Sequence, residues 1–232
     1  MTAIDQARRF ISTHVVKAVG AVLAGSAAQG RETATSDLDL AVLVTGASYR
    51  QTLRFEGRVI ELFAHTPEVL PELFAAGRAD RRGVMQRMYA EGVVLLDPSG
   101  QVAQFQAAAA AELSAGPSPL TAAQREALRY ALTEVLDDLD DAADPDERGT
   151  LADHALCQAA DLLCDHRRAW TGSGKWLPRR LRAADPQLGT ALLTARRTAA
   201  TDPAAFLEHA GQVLDQVGGP LREGYYRPWQ AS

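Results

Sequence analysis

Apolar and polar positions follow two different rhythms along this chain, and the change falls near residue 116. In the first half, Ile4, Ala7, Phe10 and Ile11 recur at helical spacing, which predicts an opening amphipathic helix over 4–16. "AVGAVLAGS" predicts a buried strand ending at glycine, "SAAQG" a short helix, and "DLDLAVLV" a second strand with an apolar C-terminal half. "YRQTLRFEGRVIELFAHT" predicts two more strands meeting at a Glu56-Gly57 turn. "TPEVLPELFAAG" and "RRGVMQRMYAEG" read as helices, the first with Pro67 in its opening turn, and "VVLLD" as a closing strand. An alanine-rich helix leads into "SAGPSPLT", whose two prolines, glycine and two serines mark a linker.

Beyond the linker the helical period holds to the end. "LTAAQREALRYALTEVLDDLDDAAD" begins with Thr121 as a cap and Gln124 three residues on, the capping-box spacing. "RGTLADHALCQAADLLCDHRRAW", "KWLPRRLRAAD", "PQLGTALLTARRTA" and "DPAAFLEHAGQVLDQV" supply four further helices. The expected architecture is α+β: a small mixed β-sheet domain over 1–115, then an all-α helical bundle over 116–232.

Composition narrows the function classes. The net charge of -5 disfavours tight, sequence-independent binding to a nucleic acid backbone, although Arg179, Arg180 and Arg182 form a local basic cluster. The amphipathic N-terminus lacks the apolar core of a signal peptide, and no stretch is long and apolar enough for a membrane span. A cytoplasmic location is expected, with no membrane partner. The two cysteines, Cys157 and Cys164, are seven residues apart, so both are expected as buried free thiols on one helix stripe.

The chemistry concentrates in "GSAAQGRETATSDLDLAVLV". Asp37 and Asp39 sit two apart on a strand and leave the same face, while Leu38 and Leu40 point the other way. Adjacent carboxylates repel, and a hard divalent ion with oxygen ligands, Mg²⁺ first among them, resolves that conflict. Upstream, Gly25 and Ser26 open a short helix whose amides and hydroxyl suit a phosphate. Gly30 permits the turn back toward the aspartates, and Arg31 adds a positive charge. A metal-bridging carboxylate pair beside a phosphate cradle suits phosphoryl or nucleotidyl transfer.

The spacing of Gly25, Ser26, Gly30, Arg31, Ser36, Asp37 and Asp39 resembles the signature of the polymerase-β-like nucleotidyltransferase superfamily. The resemblance implies a third carboxylate on a neighbouring strand, where "GRVIELFAH" offers Glu61. Within that superfamily the chain is most similar to the kanamycin-type aminoglycoside nucleotidyltransferases. These also carry glutamate third, and His166, Arg167, Trp170, Thr171 and Ser173 match a segment of their helical domain in spacing. The likeness implies transfer of a nucleoside monophosphate from ATP or another NTP to a small-molecule hydroxyl, with Mg²⁺ as cofactor. It also implies a homodimer whose interface contributes to each site.

A general base on the first helix of the second domain is implied as well, and Asp138 falls on the matching position. On the helical wheel Leu132, Val135, Leu136 and Leu139 make the buried stripe; Asp138 and Asp140 flank it, and Asp137 and Asp141 point away. The family follows its base with lysine four residues later, where this chain has Ala142.

"GSGK" (172–175) is not a P-loop, because Ala169 and Trp176 replace the required glycine and hydroxyl residue. Lys175 stays a candidate phosphate contact. The scattered histidines offer no zinc spacing, and Trp170, Trp176 and Leu177 read as helix-packing residues. Two alternatives keep the same motif in view: an RNA- or protein-modifying nucleotidyltransferase, and a non-catalytic nucleotide-binding module.

Overall fold

The computed structural model describes residues 2–33 and 35–228. The chain divides into two compact units, Met1–Pro117 and Ser118–Ser232. The first is built in the order α1 (Ala3–His14), β1 (Ala18–Ala24), α2 (Gly25–Ala28), β2 (Leu38–Val44), β3 (Tyr49–Phe55), β4 (Arg58–His65), α3 (Leu70–Ala79), α4 (Val84–Ala90), β5 (Val93–Leu96) and α5 (Gln101–Ala115). The strands form one mixed sheet in the order β3-β4-β2-β1-β5. β2 and β4 run parallel, and the remaining neighbours are antiparallel.

The central position of β2 accounts for its sequence. Leu40 to Val44 are all buried because the strand is covered on both faces, so its C-terminal half is a continuous apolar run. Leu38, Leu40 and Val42 pack toward Phe10 and Ile11 of α1, with Ile60 and Leu62 of β4 beside them. Ala41 and Leu43 pack the other way, onto Leu70 and Phe74 of α3, Tyr89 of α4 and Val102 of α5. Each fully buried leucine or isoleucine contributes on the order of 1.5–3 kcal/mol.

Several helix ends differ from the sequence reading, each for a local reason. α1 ends at His14, and Val16 is exposed; its start is fixed by a Thr2–Asp5 capping box. α3 begins at Leu70, so the proline in its first turn is Pro71, whose missing N–H costs nothing there. Thr66 instead accepts from the Val69 amide in a preceding turn. α4 is shortened because Arg81 and Gly83 both take left-handed conformations just before it.

The second unit consists of α6 (Ala122–Asp141), α7 (Pro145–His166), a 3₁₀ turn (Gly174–Trp176), α8 (Leu177–Ala184), α9 (Pro186–Ala195) and α10 (Ala204–Gln216). The Thr121–Gln124 capping box is present, and the stripe Leu132, Val135, Leu136 and Leu139 faces α7 and α10. α7 starts three residues earlier than the pattern suggested, because Asp144 caps the amides of Asp146 and Glu147 and Pro145 fits the first turn. Cys164 is buried, but Cys157 is exposed, which corrects the expectation of two buried thiols. The two share an azimuth, yet only the last turns of α7, Leu162 to Asp165, are enclosed on every side.

Irregular chain after α10 is strapped along α6. Arg129 donates to the carbonyls of Gly218 and Gly219, Thr133 accepts from the Leu221 amide, and Tyr130 stacks on Tyr225. No described helix is long and apolar enough to cross a membrane.

Candidate functional site

Strand register gathers the acidic residues. Asp39 pairs with Ala24 of β1 on one side and with Glu61 of β4 on the other. Asp39 and Glu61 therefore stand side by side on adjacent parallel strands, on the face that also carries Ala41, Leu43 and Phe63. Asp37 immediately precedes β2 rather than lying within it. One carboxylate oxygen from each of Asp37, Asp39 and Glu61 lies within 4.8 Å of the others, and all three residues are half-buried.

Gly25 is the residue that makes room for this cluster. It follows Ala24, directly beside Asp39, with φ +68. A Cβ built there would lie 2.0 Å from Asp39 Oδ2, so no side chain fits unless the carboxylate moves. The left-handed backbone adds a cost of about 1–2 kcal/mol for any other residue. Ser26 follows in the half-buried single turn of α2. Gly30 also has a positive φ of 63, and the Arg31 amide closes that turn by donating to the Ser26 carbonyl at 2.9 Å.

The loop between α2 and β2 is fixed by its polar groups. Ser36 Oγ accepts from the Thr33 amide at 2.8 Å, which places this hydroxyl in loop hydrogen bonding. Glu32 pairs with Arg58 at the start of β4 at 2.8 Å. Arg31 is exposed and donates to the Gln29 side chain, which in turn donates to Glu91. Glu61 accepts from Arg50 of β3 at 3.2 Å, and the Arg50 guanidinium lies 4.7 Å from the Phe63 ring centroid. The sequence reading did not single out Arg50. Its only sequence signal is that Arg50 and Thr52 alternate onto one face, and the identity of that face depends on register.

The remaining candidates lie in the second unit. Asp138 is exposed on α6 and borders an open groove with Asp141, Asp146, Glu147 and Thr150. Asp137, expected to point away, is tied to Arg222 at 2.9 Å. Lys175 is exposed in the 3₁₀ turn, beside Trp176, whose ring carries the guanidiniums of Arg179 and Arg180 at 4.9 and 5.0 Å. Trp176 is half-buried and also carries these two charges on its ring, and Trp170 is buried as expected. Thr171 donates to Asp161 at 2.8 Å, and Arg167 pairs with Asp185.

The Asp37–Asp39–Glu61 donor set fits a hard divalent cation: its ligands are carboxylate oxygens, half-buried and converging from two strands and a loop end. Half-burial lets the cation keep several waters, as Mg²⁺ does. No family model matches the chain, and neither does any curated protein. Among solved structures it is similar to a nucleotidyltransferase-like protein from Exiguobacterium sibiricum 255-15. That likeness has 15% identity and a TM-score of 0.41, and spans 91% of this chain and 74% of that one. A likeness so faint adds nothing to the site geometry.

Proposed function

We propose that the protein is a metal-dependent nucleotidyltransferase that moves a nucleoside monophosphate from ATP or another NTP to a hydroxyl of a small acceptor. The observation that carries this reading is the convergence of Asp37, Asp39 and Glu61 beside Gly25, where a Cβ would collide with the Asp39 carboxylate. Clustered like charges lower stability, and a divalent cation between them offsets that cost.

In this reading Asp37, Asp39 and Glu61 hold Mg²⁺. A divalent ion bound there offsets charge on the oxygens entering and leaving the α-phosphorus. Gly25 lets the nucleotide approach the backbone at the end of β1. Ser26 supplies a hydroxyl donor and Arg31 a guanidinium for the β- and γ-phosphates. Ser36 orders the loop that presents Asp37. A general base takes the acceptor hydroxyl proton; the oxygen bonds to the α-phosphorus and pyrophosphate leaves. The sequence resemblance makes an aminoglycoside-like hydroxyl compound the first acceptor to test.

Incubation with α-labelled ATP, Mg²⁺ and either an aminoglycoside panel or total RNA tests this. Labelled small-molecule product with pyrophosphate release is expected, and Asp37→Asn abolishes it without unfolding the protein. Label on RNA instead reassigns the acceptor. Wild-type-like turnover in Asp37→Asn removes the metal assignment.

A further inference from the structure

Arg50 lies across the β3–β4 ladder from Phe63, and Thr52 lies across from Glu61. Residues opposite one another in a ladder share a face, so Arg50 emerges on the carboxylate face one pair along from Glu61. Its Nη2 donates to Glu61 Oε2 at 3.2 Å while its guanidinium rests over the Phe63 ring at 4.7 Å. β3 is an edge strand, and the Arg50 side chain is 63% exposed against 28% for Glu61.

Two properties of this arrangement matter. The pair is a single contact at an exposed edge, the kind of ion pair that contributes little and exchanges readily. Stacking on Phe63 orients the guanidinium independently of Glu61, so releasing the carboxylate leaves the planar fork in place. A divalent cation shared by three carboxylates competes with one exposed guanidinium for the Glu61 carboxylate. The fork it frees matches a phosphate group, which it binds through two parallel N–H···O bonds.

We propose that Arg50 is a phosphate-binding residue that exchanges partners: it holds Glu61 in the metal-free protein, and binds the polyphosphate of the nucleotide once a cation takes Glu61. This rests on the proposed metal site and adds to it a residue that reports occupancy of the cation site to the phosphate site. Arg50 then contributes to nucleotide affinity only when metal is present, which makes metal and polyphosphate binding cooperative.

The test uses the full chain and two binding measurements without any turnover. Mn²⁺ binding is read by calorimetry in the absence of nucleotide, and tripolyphosphate binding is read with and without saturating Mg²⁺. Arg50→Gln is expected to bind Mn²⁺ up to about fivefold more tightly, because the competing cation is gone. It is expected to bind tripolyphosphate about tenfold more weakly in Mg²⁺, with Arg50→Lys between it and wild type. Circular dichroism verifies that both variants are folded. If wild type takes up Mn²⁺ but Arg50→Gln leaves either affinity unchanged, the exchange is overturned while the metal site stands. If wild type takes up no Mn²⁺, both fail together.

Discussion

The two units treat the same residue types in opposite ways. In the helical unit, Asp165, Asp185 and Asp153 are each closed off by an arginine. Asp165, 1% exposed in its side chain, accepts from Arg125 and from the Leu120 amide, tying the start of α6 to the end of α7. Asp185 accepts from Arg167 and from the amides of Gln187 and Leu188, and these bonds, the arginine's first, hold its carboxyl below the usual range. Asp153 pairs with Arg196 across α7 and α9. In the sheet unit, Asp37, Asp39 and Glu61 are instead gathered against one another.

The largest test of this contrast is Asp165→Ala. It leaves Arg125 without its buried counter-ion and is expected to cost roughly 3 kcal/mol, read as a lowered denaturant midpoint. A loss below about 1 kcal/mol, the level of a surface pair, breaks the distinction between the units.

Gly25→Ala follows, at about 1–2 kcal/mol for the left-handed backbone alone. Because its Cβ displaces the Asp39 carboxylate, divalent-ion binding is lost with it. Retained Mn²⁺ affinity in this variant separates the glycine from the site.

Asp37→Asn is expected to have the opposite sign. Removing one of three clustered charges stabilises the metal-free protein by up to ~1 kcal/mol, and the rise in melting temperature on adding Mg²⁺ disappears. Destabilisation comparable to that of Asp165→Ala shows that the cluster is an ordinary structural element.

The smallest effect concerns His65, at the far end of β4. Both of its ring nitrogens are buried without a hydrogen-bond partner among the described residues, and burial lowers its pKa. The unfolded chain takes up a proton first, so His65 supports stability above the ordinary imidazole range of about pH 6.5 and loses that support as pH falls through its folded value. His65→Asn flattens this part of the stability profile, and an unchanged profile removes the assignment.

Legibility differed between the units for a physical reason. Whereas Asp37 falls just before the strand, the α6 stripe, its capping box and the alternation of Leu38, Asp39 and Leu40 across β2 follow from local spacing, and they were readable residue by residue. The ends of α3 and α4 were not, because Pro67 and Pro71 both satisfy the first-turn pattern and nothing local announces the left-handed Arg81. The exposure of Cys157 was equally hidden, since a helical wheel gives azimuth but not how deep each turn lies.

Local order along the chain is enough to say which residues carry acid, where the chain turns at glycine, and which positions alternate toward a core, since each depends on neighbours a few residues away. Only the tertiary structure decided that Asp39 lies beside Glu61, that Gly25 abuts the Asp39 carboxylate, and that Arg50 reaches the same face. Those contacts depend on strand order and register across separations that no local pattern encodes.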